Sequence, residues 1–343
     1  MKLFFTALLC LLIAMNGDVF AQKTVDKAKL FADTAMVNAT LNLNIKKLLA
    51  KRNKQGLLFP ANFICKMSDS LIVNDNIELE ARGHFRRGYC YLPPLKLVFK
   101  NNPSCAFYRL KGLKLVAPCS LTDIDDQNLL KEYLTYKIFN LITDMSFRVR
   151  LLNLTYVDSS GRRTTFTKHA FLLEDIKEVA KRNACTDWSD KKFFSEGTNR
   201  RQMTITNIFE YMIGNTDWAV PVNHNIKLIH SKTDSLSRPY VVPYDFDFSG
   251  LVATNYSTPN EKLGIETVQQ RLYRGFPRSM AELNDVLDIF KGQKQNVYAV
   301  INNFRLLSPV AKKDMIDYLE SFYKTINNPA EVQQVFITNA RTE

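Results

Sequence analysis

Alternating apolar and polar residues mark several strands in the first half of the chain. Between Ile77 and Arg82 every second residue is apolar, and the alternation recurs between Leu95 and Lys100. A period of two predicts strands with one buried face. The ranges 148–157 and 164–173 predict two further strands, joined by a turn at 158–161.

Helical periodicity predominates in the second half, after one helix that follows the acidic run 123–126. Apolar residues between Ile205 and Ile213 recur at helical spacing, and Gly214 predicts the end of that helix. The range 283–290 predicts another helix, and Ser308-Pro309 is a typical start for a last one that runs through Ile326. Two short strands are predicted in this half, at 225–230 and 240–244.

This order of elements predicts an α+β protein with a β-rich part at 22–175 and a mainly helical part at 176–343. A chain with 46% hydrophobic residues can bury one large core or two modest ones. No internal repeat or low-complexity linker divides the sequence. We expect one compact domain with two lobes.

The N-terminus has the features of a secretory signal. Lys2 precedes an apolar run from Leu3 to Met15, and Ala21 is a small residue at the expected cleavage point. We therefore expect residues 1–21 to be removed and the mature protein to be periplasmic or secreted. The run is short for a membrane span and no later apolar stretch is longer, so no stable membrane span is predicted.

The charge balance favours anionic partners without selecting one. Lys and Arg number 46 against 34 Asp and Glu, which gives a formal net charge of +12. Acidic partners, anionic surfaces and phosphate-bearing ligands all fit this balance. The basic residues are spread along the chain rather than clustered, so no nucleic-acid partner is predicted.

Cysteine and histidine usage argues against a structural zinc site. Removal of the signal peptide takes Cys10 and leaves five cysteines, with no CxxC and no zinc-like histidine spacing. In an oxidising compartment some of Cys65, Cys90, Cys105 and Cys119 are expected to pair, while Cys185 or another cysteine stays free. Spacing alone leaves the connectivity open.

A set of oxygen-bearing side chains in the second half indicates phosphoryl chemistry. Asp217 follows the predicted helix end, Asn223 and Asn225 come next, and Asp245 and Asp247 lie at a strand end. Mg²⁺ prefers oxygen ligands and usually takes only one or two carboxylates beside phosphate oxygens and water. Asp217 could orient an acceptor hydroxyl, while an Asn and an Asp hold the metal. The choice between Asn223 and Asn225 stays open here.

The β-rich part would supply the cation that phosphoryl transfer needs. Lys96 lies on a predicted strand, opposite its apolar face, and Glu132 on the following helix could hold it in place. The alternative without a function is that Lys96 is a solvated strand lysine beside Lys100 and that Glu132 is an exposed helix residue.

Four segments carry a further signal through their order along the chain. The segments are ARGHFRRGYCYLPPLKLVFK (81–100), FLLEDIKEVAKR (171–182), IFEYMIGNTDWAVPVNHNIKLI (208–229) and PYVVPYDFDFSG (239–250). Each motif alone is weak, and the order of all four is the more specific signal. Taken in this order, the segments resemble the CotH kinase family, which is named after a spore-coat protein.

The resemblance implies a secreted, atypical protein kinase with a two-lobed kinase-like fold that uses ATP with Mg²⁺ or Mn²⁺. By position it implies a catalytic acid at Asp217 and metal ligands at Asn225 and Asp245. Asp247, two residues later, is either a second metal ligand or a loop cap. Contacts to the nucleotide are implied at Arg82, Gly83, Lys96, Glu132 and Glu174.

This chain also departs from the family pattern, because His84 and Phe85 stand where residues of the Asn-Ser type usually follow the RG pair. Neither a GxxxxGK[ST] loop nor a GxGxxG loop is present.

The resemblance and the residues together predict transfer of the γ-phosphoryl group of ATP to a hydroxyl of an extracytoplasmic protein or glycan. The alternative is a catalytically inactive descendant that serves as a secreted binding or surface-assembly protein. A metal-dependent phosphoesterase is less favoured, because a dinuclear site needs more His and Asp ligands than this chain offers.

Overall fold

The computed structural model describes residues 27–32, 35–68, 71–99, 107 and 110–341. The predicted signal peptide at 1–21, its Cys10, and Cys105 lie outside the described residues.

Strands build most of the first half of the described chain. They are β1 (Val37–Leu43), β2 (Leu58–Ser68), β3 (Leu71–Ala81), β4 (Leu95–Val98), β5 (Gly112–Val116), β6 (Val149–Asp158) and β7 (Phe166–Leu173). Within the described residues these seven strands close into a barrel in the order β1-β2-β3-β4-β5-β7-β6. Closure pairs β1 with β6 in parallel, with Val37 opposite Leu152, whereas the other neighbours in the barrel are antiparallel.

The barrel follows directly from the alternation of the sequence. Along β1 the buried residues Val37, Ala39, Leu41 and Leu43 alternate with more exposed ones, so one face of the strand points to the barrel interior. Because side chains along a strand alternate between two faces, this pattern fixes the register of each pairing. Closure also removes the free strand edges that an open sheet would expose.

Helices build most of the second half, and one long helix precedes them. They are α1 (Lys27–Ala32), α2 (Ile45–Lys51), α3 (Phe85–Tyr89), α4 (Asp123–Ile142), α5 (Ile176–Arg182), α6 (Arg200–Ile213), α7 (Met280–Asn302), α8 (Pro309–Asn327) and α9 (Pro329–Gln333). The remaining strands form a small sheet in the order β10-β9-β8, with β8 (Cys185–Asp187), β9 (Ile226–Ser231) and β10 (Tyr240–Pro243).

The helix boundaries have local causes in the sequence. The Thr122 side chain caps α4, and Ser279 with Glu282 forms a reciprocal capping box at the start of α7. Ser308 caps α8, whose first residue is proline as predicted. Gly214 ends α6 in the left-handed conformation, and a side chain there would collide with the Tyr318 hydroxyl.

Two large hydrophobic cores lie side by side, and a smaller cluster forms around Trp218. One large core fills the barrel, and the other gathers α4, α6, α7 and α8 together with the inner ends of β6 and β7. Phe139 of α4 stacks on Phe209 of α6 with ring centroids 4.1 Å apart, in the second core. Helix α4 therefore joins the barrel to the helical part of the chain.

The α+β class, with a β-rich first part and a helical second part, is confirmed. The strands and helices predicted from periodicity are present, most of them with shifts of a few residues at their ends, whereas β3 begins well before and α7 ends well after its predicted range. Periodicity did not predict barrel closure. It also missed the strands β1, β2, β5 and β8 and the short helices α1, α2, α3, α5 and α9. In the part of the chain that the structure describes, no helix is both long enough and apolar enough to span a membrane.

A disulfide joins Cys90, at the end of α3, to Cys119, in the segment before α4. The connectivity that spacing left open is thereby assigned for these two cysteines. Cys65 and Cys185 are buried free thiols, in agreement with the expectation that Cys185 or another cysteine stays unpaired.

We predict that replacing Cys90 and Cys119 together by alanine lowers the free energy of unfolding by about 3 kcal/mol, because the cross-link restricts the unfolded chain. The bond closes a loop with a sequence separation of 29 residues. Urea unfolding of the oxidised protein and of the double variant measures this loss. Dithiothreitol should destabilise the wild type by a similar amount and leave the variant unchanged; an equal effect of dithiothreitol on both proteins would contradict the prediction.

Candidate active site

A cleft of about 660 Å³ opens between the barrel and the helical part, and its two walls carry opposite charge. The barrel side presents Arg82, Arg86 and Lys114. The helical side presents the following oxygen-bearing residues: Asp217, Asn225, Asp245 and Asp247. The structure therefore brings the predicted catalytic acid and all three predicted metal ligands to one place.

Asp217 lies on the segment that leaves α6, and its neighbours fix its carboxylate. Its backbone N–H donates to the Asn215 side chain at 3.0 Å. One carboxylate oxygen pairs with His224 Nε2 at 2.8 Å, and the other accepts from Asn225 Nδ2 at 3.0 Å. The hydrogen bond that the Asp217 carboxylate accepts from His224 raises the pKa of His224. The carboxylate is thus held in one orientation on the cleft wall.

The two asparagines of this segment differ in where their side chains lie. Asn225 lines the cleft and also donates to the Asp217 carbonyl at 2.7 Å. Asn223 instead donates to the carbonyls of Ser189 and Lys191, at 3.1 and 2.9 Å, and holds the loop in place. Both residues have positive φ, a conformation that asparagine tolerates better than most residues. Asn225 is the amide that is available to the cleft.

Phe246 anchors the two acids that follow β10. Its ring is fully buried in the helical core, 4.7 Å from the Tyr136 ring and 5.5 Å from the Phe209 ring. Asp245 has a φ of +69°, a strained conformation for a residue other than glycine, and its N–H donates to the Tyr136 hydroxyl at 2.8 Å. The buried ring and the turn at Asp245 place both acids at the cleft.

Asp247 is buried, and its carboxylate has polar partners from both the barrel part and the helical part of the chain. Its Oδ2 accepts from the Tyr256 hydroxyl at 2.8 Å and lies 3.4 Å from Nη1 of Arg86. Burial and then the nearby charge of Asp245 raise the pKa of Asp247 to about 6, against the lowering effect of Arg86. A buried carboxylate without such partners would be strongly unfavourable.

The segment after β3 supplies the arginines of the barrel wall. The N–H of Arg82 donates to the Pro94 carbonyl at 2.8 Å, and Gly83 follows with a φ of +82°, a conformation that favours glycine. Arg86 on α3 donates to the Ala117 carbonyl at 2.5 Å, next to the disulfide. The cross-link therefore holds the helix that carries Arg86 against the cleft.

Lys114 lines the cleft, whereas Lys96 does not reach it. The two lysines are opposite each other on the paired strands β5 and β4. The side chain of Lys96 is 47% exposed, with its Nζ 3.9 Å from Glu80. Lys114 Nζ lies 4.2 Å from the centre of the Tyr244 ring, and burial followed by repulsion from Arg82 lowers its pKa to about 7. The alternation in GLKLV could have flagged Lys114, which the sequence analysis missed.

The two predicted glutamates lie behind the cleft rather than on its surface. Glu132 of α4 is buried beside Arg86, and burial together with the charge of Asp247 raises its pKa. Its Oε1 has no hydrogen-bond partner among the described residues. Glu174 accepts the Arg148 N–H at 2.9 Å and pairs with Arg182 at 3.2 Å, so it fixes the turn after β7.

The donor set fits a nucleotide with a divalent ion in chemical type. Carboxylate and amide oxygens suit Mg²⁺ or Mn²⁺, and the guanidinium and ammonium groups opposite them suit phosphate. Within the described residues, no group of three or more His, Cys, Asp or Glu side chains is arranged to hold a metal ion.

Comparisons with known proteins add little to this geometry. No family model matches the chain, and no curated protein matches it. Among solved structures, the chain is similar to the proinflammatory kinase CtkA of Helicobacter pylori, with 10% sequence identity and a TM-score of 0.40. The alignment covers 72% of this chain and 92% of that chain. A likeness this weak carries no conclusion about the fold or the activity.

A buried acid lies beneath the Asp217 segment. Glu210 of α6 is 1% exposed, and burial raises the pKa of its carboxyl to about 8. Its backbone carbonyl accepts the N–H of Asn215, and Arg274 donates to the carbonyls of Thr216 and Trp218 from the other side. The segment that carries Asp217 is therefore braced from two directions.

We predict that Glu210→Gln makes the protein more stable than the wild type at pH 8. The difference in free energy of unfolding between the variant and the wild type should be about 3 kcal/mol larger at pH 8 than at pH 5. The folded-state pKa of Glu210 is raised from 4.5 to about 8, so the folded state binds more protons than the unfolded state in this window. Stability of the wild type is therefore lost as the pH rises, and the neutral amide removes that loss. Urea unfolding of both proteins at the two pH values measures this difference. The same stability difference between variant and wild type at pH 5 and pH 8 would contradict the prediction.

Proposed function

We propose that the chain is an extracytoplasmic, CotH-like kinase with a bilobal fold. It transfers the γ-phosphoryl group of ATP to a hydroxyl of a protein or glycan, with Mg²⁺ or Mn²⁺. The observation that carries the proposal is the cleft with opposed charges, in which Asp217, Asn225 and Asp245 face Arg82 and Lys114. The signal-like sequence at 1–21 and the Cys90–Cys119 disulfide support an oxidising location.

The roles follow from the chemistry of each wall. Asp217 orients the acceptor hydroxyl and takes its proton, because His224 and Asn225 hold the carboxylate in place. Asp245 and Asn225 would hold the metal through their side-chain oxygens, with Asp247 as a further candidate. Arg82 and Lys114 face the phosphates. When bound, the metal and the nucleotide supply charge neutralisation and the phosphoryl group.

The contact between Arg86 and Asp247 favours the second candidate function, an inactive kinase-like binding or surface-assembly protein. The guanidinium lies 3.4 Å from a carboxylate oxygen that a metal ion would otherwise use. A protein that has lost metal-dependent chemistry can keep a buried acid by pairing it with an internal cation.

Activity separates the two candidates. We expect labelled ATP and Mg²⁺ or Mn²⁺ to give phosphorylated products in a secreted-protein extract. Asp217→Asn should lower the rate roughly 100- to 10,000-fold, the range that general base catalysis contributes. The variant should keep its thermal stabilisation by ATP with metal, whereas Asp245→Ala should lose it. Absence of both labelling and stabilisation in the wild type would favour the inactive protein.

A matched pair of lysines tests which strand supplies the phosphate cation. Lys114→Gln should weaken the binding of ATP with Mg²⁺ by roughly tenfold or more, because a charge-assisted hydrogen bond contributes about 1.5–3 kcal/mol. Lys96→Gln, the same change on the facing residue, should alter the affinity less than about twofold, because its side chain is directed to solvent and Glu80. Isothermal titration calorimetry measures both. A larger loss of affinity in Lys96→Gln than in Lys114→Gln would assign the phosphate contact to Lys96 instead.

A further inference from the structure

A second pocket, of about 270 Å³, lies outside the cleft and collects cationic side chains. Its wall is formed by the second half of α4, the turn between α4 and β6, the end of α5 and the end of α1. Lys137, Arg148 and Arg182 line it, together with Asn140, Ser146 and the exposed Asp144. We propose that this pocket binds a phosphate group, as inorganic phosphate or as the phosphomonoester of a larger molecule.

The other polar groups of the pocket are already committed to the fold. Arg182 donates to the carbonyls of Asp144 and Ser146 and pairs with Glu174. Asn140 donates to the Ser146 hydroxyl at 2.9 Å and to the Phe147 carbonyl at 2.8 Å. The Ser146 hydroxyl in turn donates to the Thr143 carbonyl at 2.6 Å. These bonds make the wall rigid and leave few donors for a ligand.

Lys137 and Arg148 are the uncommitted cations. Within the described part of the chain, neither side chain makes a hydrogen bond or an ion pair, although both are partly buried. Burial and then the charge of Arg148 lower the pKa of Lys137, so the two cations are close enough to repel each other. Two neighbouring cations in a half-buried pocket are unfavourable until an anion joins them.

The donors select the class of anion. An ammonium and a planar guanidinium together offer a forked pair of donors and a point charge, which suits a tetrahedral dianion. Asp144 at the rim and Glu174 behind Arg182 reduce the positive charge of the pocket, so a single phosphate is a better match than a polyphosphate. The volume exceeds that of a bare phosphate and leaves room for a small organic portion.

Phosphate binding is tested with inorganic phosphate at low ionic strength, by calorimetry and by thermal unfolding. Arg148→Gln and Lys137→Gln should each weaken the binding roughly tenfold or more, as expected for the loss of a charge-assisted hydrogen bond. Lys131→Gln is the matched control, since Lys131 is a partly buried lysine of the same helix whose pKa burial also lowers. The control should change the affinity less than about twofold.

Two further experiments distinguish the pocket from the cleft, and free phosphate from a lipid headgroup. An Arg82→Gln/Lys114→Gln protein removes the cleft cations, and phosphate binding to the pocket should persist in it, whether or not the cleft binds ATP. Phosphatidylcholine vesicles with and without phosphatidic acid test a lipid headgroup as the source. If the wild type binds the vesicles with phosphatidic acid and both pocket variants fail to bind them, the result supports this site with a lipid headgroup as its ligand.

Stability without ligand provides a check on folding. Because the change removes a repelling charge, Lys137→Gln should unfold at the same temperature as the wild type or higher in phosphate-free buffer, and should gain less from added phosphate. Absence of binding of both phosphate and acidic vesicles to the wild type would overturn the proposal. Equal binding by the wild type and both pocket variants would also overturn it.

Discussion

The pairing of the buried Asp247 with a cation from the other part of the chain is the constraint on which the cleft depends. A carboxylate that is 4% exposed needs partners, and it finds Arg86, 161 residues earlier, and Tyr256. To reach it, α3 must lie against the helical part. The disulfide at the end of α3 and the bond from Arg86 to the Ala117 carbonyl hold the helix there. One ion pair thus sets how the two charged walls face each other.

The same constraint explains the YDFDF segment. A fully buried phenylalanine between two aspartates inserts into the core and leaves both acids at the cleft, on either side of the anchor. Asp245 takes a strained backbone conformation in consequence. Strain at this position is tolerated because the Phe246 ring is packed against Tyr136 and Phe209 and the Tyr136 hydroxyl accepts the Asp245 N–H. The sequence shows two acids, and the structure shows why they differ in burial.

Local patterns predicted the elements well because their causes are local. Capping at Ser308, the end of α6 at Gly214 and the alternation in β6 and β7 each depend on residues within a few positions. Barrel closure was not predictable in this way, because it requires β1 to find β6 more than 100 residues later. The short helix α3 was missed for a related reason: its amphipathic signal is weak, and the disulfide and Asp247 hold it in place.

The same distinction applies to the site. The polar residues near strand and helix ends, Asp217, Asn225, Asp245 and Asp247, could be found from sequence because loops and element ends carry exposed functional groups. The choice between Lys96 and Lys114 could not, because both lie on strands of similar pattern and point to the same side. The two lysines differ only in the folded protein, where Lys96 is exposed to solvent and Lys114 lines the cleft. Likewise, His224 contributes through its contact with Asp217, which no spacing rule indicates.

The parallel pairing of β1 with β6 has a consequence for how the chain acquires its shape. Leu43 lies opposite Asp158, so a growing polypeptide cannot complete the ring until more than a hundred further residues have been added. During that interval the edge of β1 that later pairs with β6 is open to other chains. A polypeptide shortened past Leu43 would carry this exposure permanently, with β2 and β6 as two unprotected borders, and would be prone to associate with copies of itself.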